Sequence, residues 1–323
     1  MSADLLRMVN GYQASQTLHA AVALGLPDLL AEGPRSTADL ADACGAHEPT
    51  LRRLVRALAG LGVLHEDEDG RVSLTELGGP LRTDRPDSIA GWTRLIGRPY
   101  YWNTWAALTD AVRTGENGFR LLNGTDVWSW RADHPDESAI FDGAMTALTA
   151  QVTHAVAGSY DFSRFSAVVD VGGGRGTLLE ALLAANPGMR GILFDQPHVV
   201  EGVRPHDRLE VVGGSFFEQV PEGADAYVLK MIIHDWEDAE SIAILRTVRA
   251  AMPPTGVVLV VERSLGAANA EPAGKLSDLN MLLMPGGCER SHDEYAALFD
   301  ASGLRLGGVS PAGPMDVVEA TIA

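Results

Sequence analysis

The chain has 323 residues, 46% hydrophobic and 21% charged, which supplies more than one buried core and excludes a disordered or collagen-like chain. Its 25 Lys and Arg against 43 Asp and Glu leave a formal charge of −18, which disfavours nucleic acid as a partner because phosphate backbones are held by cations. Cys44 and Cys288 cannot form a disulfide framework or a thiolate metal site, and no apolar run approaches the ~20 residues that cross a bilayer, so a cytoplasmic protein is expected.

The first half of the chain is helical in period. Leu5, Met8, Val9, Tyr12, Leu18, Val22, Leu26, Leu29 and Leu30 trace one or two helices whose apolar face is broad enough to need a partner. There follow a helix capped near Ser36 or Thr37, a turn at Gly45, a second helix from Pro49 to about Ala59 and a short hairpin, which is a winged-helix pattern. Arg52, Arg53 and Arg56 on the second helix could meet phosphates, but the wing HEDEDG is acidic where a DNA reader needs cations, so a packing or dimerisation module is the better reading. Trp92, Tyr100, Tyr101, Trp102 and Trp105 crowd the next segment, either as a helical core or as one wall of an aromatic-binding pocket.

After Tyr160 the texture changes to short apolar runs alternating with helices, with strands at 167–171, 191–195, 209–214, 225–231 and 257–262 and two closing strands in the tail. Continuous apolar strands of this kind predict a parallel, doubly wound sheet covered on both faces. The expected fold class is α/β: a Rossmann-like domain at 159–323, preceded by a mostly helical winged-helix dimerisation domain at 1–90 and a helical linker and pocket segment at 91–158.

The turn VVDVGGGRGTLL puts Gly172, Gly173, Gly174 and Gly176 between the first of these strands and its helix, where missing Cβ atoms let a nucleotide-like ligand approach the backbone. The dinucleotide pattern G-x-G-x-x-G fails, because Thr177 stands at its last glycine, and Asp170 suits a cationic ligand better than a pyrophosphate; the loop leans toward S-adenosylmethionine. Asp195, 23 residues after Gly172, can accept both hydroxyls of a ribose or else cap the helix after Pro197, and the upstream glycine loop favours the ribose. Ser215 and Phe216 reach the same sheet edge, where a ring can lie against adenine, with Phe217 expected to be buried under the sheet. VLKMIIHDWED brings Lys230, His234 and Asp235 to that edge, and an imidazole of pKa ~6.5 there suits a base at neutral pH. Glu262 and Glu289 can orient the imidazole and steady its charged form, or else be solvated loop acids. The nine histidines show no His/carboxylate grouping at ligand spacing, so no metal is expected.

Taken in order, VVDVGGGRGTLL, LFDQP, GGSFFEQVP, YVLKMIIHDWED, VVERS and PGGCERS make nearly the whole chain similar to the S-adenosylmethionine-dependent O-methyltransferases of the caffeic acid type, especially their bacterial natural-product branch. The resemblance implies S-adenosyl-L-methionine as cofactor, S-adenosyl-L-homocysteine as product, a homodimer formed through the winged-helix half, and an aromatic or polyketide-type small-molecule acceptor, with no membrane partner. It implies Gly172 and Gly174 along the cofactor, Asp195 at the ribose, Ser215 and Phe216 at the adenine, Lys230 nearby, and His234 as base flanked by Glu262 and Glu289. Phe141 and Met145 match a Phe-x-x-x-Met helix at the acceptor and Met281 a pocket methionine; Asp235 and, from the aromatic segment, Trp105 complete the expected acceptor residues. Ser215 departs from the aspartate common in the family, which weakens the contact expected with the adenine amino group. Arg175 is expected to meet a carboxylate or to point to solvent, and Arg94 or Arg98 to bind an acidic acceptor.

A phenol of pKa ~10 facing an imidazole of pKa ~6.5 makes full proton transfer uphill by roughly 4.8 kcal/mol, so the proton is expected to leave as the methyl moves. Two other readings are decarboxylation or hydroxylation on the same fold, which the intact His234-Asp235 pair disfavours, and a winged-helix regulator that senses a small molecule.

Overall fold

The Val, Leu and Ile runs after residue 160 pair into one sheet of seven strands in the computed structural model, which describes residues 2–270 and 272–323. With strands numbered in chain order, β1 (Arg35–Ser36), β2 (Leu64–Glu66) and β3 (Arg71–Leu74) make a small separate sheet. The large sheet contains β4 (Ala167–Val171), β5 (Arg190–Asp195), β6 (Leu209–Gly213), β7 (Ala226–Lys230), β8 (Val257–Glu262), β9 (Leu304–Ala312) and β10 (Met315–Ile322). Its order is β6-β5-β4-β7-β8-β10-β9, parallel through β8, with β10 and β9 added antiparallel. The chain steps outward one way from β4 to β6 and the other way from β7 to β8. The carboxyl ends of β4 and β7 therefore flank the switch point, the crevice in which open α/β sheets hold ligands.

Helices cover both faces of this Rossmann-like sheet, so every residue of β8 is buried. Leu259 and Val261 pack on one side with Leu178 and Leu182; Val258 and Val260 pack on the other with Ile244, Leu245 and Phe299. Each such side chain taken from water contributes ~1.5–3 kcal/mol, which fixes the strand ends that carry the site.

By its contacts the chain forms two compact units, one of residues 1–103 with 134–148, the other of residues 104–133 with 149–323. In the first, Ser36 caps the helix Thr37–Cys44 through a reciprocal bond with Asp39, and Gly45 ends it at φ 64°. The helix Glu48–Gly60 and the β2–β3 hairpin follow, and Leu40, Leu51, Val55, Leu58, Val63 and Val72 share one core, which builds the winged helix. Tyr101, 4% exposed, meets Trp92 and Tyr100 edge to face, so this part of the aromatic segment is core. Leu5, Leu6, Met8, Val9 and Tyr12 stay at least 54% exposed, which leaves the broad apolar face of the first helices open. Among the described residues no helix is long and apolar enough to cross a membrane.

Candidate active site

Beyond β4, Gly172, Gly174 and Gly176 take φ of 70°, 60° and 81°, a region that costs a residue with a side chain ~1–2 kcal/mol. A Cβ on Gly172 would lie 2.4 Å from Ile232, whereas one on Gly174 would meet nothing within 4 Å, so the loop is tight beneath and open above. Asp195 is stitched to this loop: its Oδ2 accepts the Gly174 amide at 2.8 Å and its Oδ1 the Gln196 amide at 2.6 Å. The helix Pro197–Val200 takes Gln196 as its N-cap, so capping is not what Asp195 does.

Asp170 lies under the same loop, 2% exposed, and neither of its oxygens makes a hydrogen bond of ordinary geometry, the Leu179 backbone giving slight support. Burial pushes its pKa up to about 7 although Lys230 pulls it down. A buried carboxylate with so little hydrogen bonding beneath an open glycine loop fits a cationic ligand, and this set of groups suits a cofactor that carries an ammonium and a sulfonium. Ser215 Oγ accepts the Phe217 amide at 3.3 Å, and half-buried Phe216 meets Trp236 edge to face at 6.0 Å. Phe217, expected to be buried, is 40% exposed with its ring 4.7 Å from Trp236. The reason is local: β6 stops at Gly213, strand alternation ends there, and the Phe194 ring fills the place where a Cβ on Gly214 would sit.

Past Lys230, Met231 takes φ 56°, and the resulting turn sends three successive amides toward one atom. Glu262 Oε1 accepts from Ile232 and Ile233 at 2.9 Å each and from His234 at 3.3 Å. The other oxygen of Glu262 lies 3.2 Å from His234 Nδ1, and Glu289 Oε1 lies 3.3 Å from the same nitrogen. Two carboxylates beside one nitrogen keep a proton on Nδ1, so Nε2, 3.6 Å from Asp235 Oδ1, is the nitrogen that accepts a proton once the imidazole is neutral. Glu289 is itself held by the Ser277 hydroxyl, which donates to Oε1 at 2.6 Å, and by Asp278, which accepts its amide at 3.0 Å. The helix that supplies both, Ala273–Leu283, also carries buried Met281.

Burial opposes a charged imidazole, but Glu262, Asp235 and Glu289 outweigh it and push His234 up to about 10. The ordinary histidine pKa expected from the sequence is corrected accordingly. Burial pushes Glu262 up to about 7 and Asp235 up to about 6, with His234 opposing both. For Glu289, burial acts upward, but the bonds from His234 and Ser277 hold it below the usual range. Burial lowers Lys230, against Asp170, Glu262 and Asp235, and its Nζ donates to Thr149 at 2.9 Å.

The sequence spacing also concealed a His/carboxylate grouping. Glu262 and Glu289 stand 28 and 55 residues from His234, yet the three bring potential ligand atoms within 4.8 Å of one another. Parallel strands deliver distant residues to one edge, so the expectation of no such grouping is corrected. One oxygen of each carboxylate is already engaged, Glu262 Oε1 by three amides and Glu289 Oε1 by a hydroxyl.

Trp128 stacks on Trp236 at 6.3 Å, and the guanidinium of buried Arg131 lies 5.2 Å from the Trp128 ring and acts on the charge of Asp235. Trp105 is half-buried in this second unit; Phe141 and Met145 are half-buried in the first. Arg98 is bound to Glu137, and Arg94 and Arg175 are exposed. Sequence reasoning missed Trp128, Arg131, Ser277 and Arg290. Two signals were available: Ser277 lies one turn before Met281, and Arg290 directly follows Glu289.

Residues 105–305 match an O-methyltransferase domain and residues 6–83 an O-methyltransferase dimerisation domain. The chain is 42% identical to a phenazine O-methyltransferase of Lysobacter antibioticus, over 99% of this chain and 96% of that protein. It is 40% identical to a mitomycin biosynthesis 6-O-methyltransferase of Streptomyces lavendulae, over 97% and 92%. Among solved structures it is similar to an O-methyltransferase from neocarzinostatin biosynthesis in complex with S-adenosylmethionine and 2-hydroxy-5-methyl naphthoic acid, with a TM-score of 0.82 at 34% identity and 96% of each chain covered. The dimerisation domain indicates a homodimer, and its match begins within the exposed apolar face at Leu6, Met8, Val9 and Tyr12.

Proposed function

This chain belongs to the S-adenosylmethionine-dependent O-methyltransferases, and from that premise we propose that it methylates a phenolic or similar hydroxyl of an aromatic or polyketide-type small molecule in secondary metabolism, with His234 as general base. One arrangement carries the reading: Nδ1 of a buried imidazole is fixed between two carboxylates, which leaves Nε2 to accept a proton. The acceptor class draws on the phenazine and naphthoic acid named for the relatives. Gly172, Gly174 and Asp195 would hold the glycine-loop and ribose side of the cofactor, Ser215 and Phe216 the adenine, and Asp170 and Lys230 its charged end. When bound, S-adenosylmethionine supplies a methyl group on a sulfonium and leaves as S-adenosylhomocysteine.

His234 Nε2 takes the acceptor's proton while Nδ1–H stays bonded to Glu289, with the Glu262 carboxylate beside it. Against its burial, Glu262, Asp235 and Glu289 lift the imidazole to about 10, near a phenol's ~10, so the transfer is close to balanced where a free imidazole would face an uphill step. The cost moves to clearing the imidazole's own proton, so turnover rises with pH through the neutral range. Asp235 orients the acceptor, and Met281, Trp105 and the Trp128–Trp236 pair keep water out; Phe141 and Met145 join them on the resemblance alone. The three-part organisation 1–90, 91–158 and 159–323 and a cytoplasmic site of action belong to the same proposal.

Incubation with S-adenosylmethionine and fused-ring phenols should give a product heavier by one methylene unit, insensitive to a chelator. His234→Asn should slow that reaction ~10²–10⁴-fold. Undiminished turnover would remove His234 as base, and a product that had lost carbon dioxide or gained oxygen would remove methyl transfer.

A further inference from the structure

Arg290 has no part in the reading above, yet it heads the largest fully buried side chains among the described residues at 2% exposed. A buried guanidinium is costly unless its donors are met. Its Nη1 donates to the carbonyls of Ile233 at 3.1 Å and Cys288 at 3.4 Å, and its Nη2 to the carbonyl of Trp236 at 2.9 Å. Nε and Nη2 also reach Asp238 Oδ1, at 3.2 and 2.9 Å. The loop that carries His234 and Asp235 is thus held from two sides: Glu262 takes its amides and Arg290 its carbonyls. The Ser241 hydroxyl adds to the same two carbonyls at 3.3 and 3.2 Å.

Gly287 closes the arrangement. A Cβ there would stand 2.2 Å from the His234 carbonyl oxygen and 2.4 Å from the Trp236 nitrogen, so the backbone of 287 lies directly against the loop. A parallel bridge between Ser264 and Arg290, with the Leu265 amide donating to the Arg290 carbonyl at 2.9 Å, anchors this segment to the chain that leaves β8.

We propose that Arg290 is a positioning residue for methyl transfer: with Gly287 it braces loop 233–236 from the carbonyl side, so that His234 keeps Nδ1 between Glu262 and Glu289 and Nε2 aimed at the acceptor. The proposal rests on His234 being the base. A planar fork is what the site uses, since a lysine ammonium cannot span Ile233, Trp236 and Asp238 together.

Arg290→Lys should lower kcat ~10–100-fold, the cost of a small misplacement, while KM for S-adenosylmethionine changes less than ~3-fold. The pH at which kcat levels off should move down as the imidazole leaves its carboxylates, and amide hydrogen exchange at 232–236 should quicken. Gly287→Ala displaces the same loop without changing charge and should give the same signature, which covers failure of Arg290→Lys to fold. In a His234→Asn background, Arg290→Lys should add less than about a twofold loss, whereas a full multiplicative loss would overturn the proposal. Unchanged kcat and exchange in both variants, or equal loss of cofactor binding and kcat, would also overturn it. If His234→Asn alone keeps wild-type turnover, the base assignment falls and the brace with it, whereas faster exchange at 232–236 would still show the loop restraint.

Discussion

Asp170 and Glu262 sit at the carboxyl ends of β4 and β8, two strands apart in one sheet, and burial pushes both up to about 7. They differ in what surrounds them. Glu262 takes three amides on one oxygen and faces an imidazole with the other, whereas Asp170 has no hydrogen bond of ordinary geometry. Burial of a charge is costly at both, and the chain offsets it with amides and an imidazole at Glu262 but chiefly with the distant charge of Lys230 at Asp170. The contrast separates an acid that completes the protein's own loop from one that has the charge of Lys230 but little hydrogen bonding, and so has room for a cationic ligand.

Of the two acids, Glu262→Gln should give the larger effect on turnover. An amide can still accept from the loop only by turning its NH₂ toward Nδ1, which already carries a proton, so kcat should fall ~10²–10³-fold and Tm should drop with it in calorimetry. Asp170→Asn should do the reverse to stability. With a costly buried charge removed, Tm should hold or rise by about 2–4 °C, while calorimetric affinity for S-adenosylmethionine falls ~10–100-fold. A lower Tm with unchanged affinity would show that the two acids do the same job.

The smallest effect is on pH dependence. Asp170 titrates at about 7 and Asp235 at about 6 without ligand, and a cationic ligand favours their ionised forms, so binding releases protons and affinity rises with pH. Affinity for S-adenosylmethionine should increase up to ~10-fold between about pH 6 and 8. S-adenosylhomocysteine, whose sulfur is uncharged, should show a shallower rise; equal slopes would detach the acids from the sulfonium.

Much of this site was legible in the sequence, because the glycine loop, Asp195 and the His234 loop each follow a recognisable apolar strand, and parallel topology sends strand ends to one edge. Asp170 was legible for the same reason. The behaviour of His234 was not, since beyond its neighbour Asp235 its pKa depends on two glutamates delivered by other elements, at distances that no local pattern encodes. Phe217 was expected under the sheet as an aromatic beside Phe216, but β6 ends at Gly213 and its ring stands 40% exposed. Arg98 was offered to an acceptor while its partner Glu137 stood 39 residues away, and Arg290 went unread because a charged residue beside an acid resembles a surface pair until its burial is known.

Gly287 has a consequence for how such an enzyme can diversify. The backbone at 287 lies against the backbone of the base-bearing loop, so its tolerance for an added side chain is nearly nil, whereas Met281 and Trp105 are not among the atoms that a Cβ there would meet. A lineage with this construction can trade one acceptor for another by altering side chains while inheriting its chemistry intact.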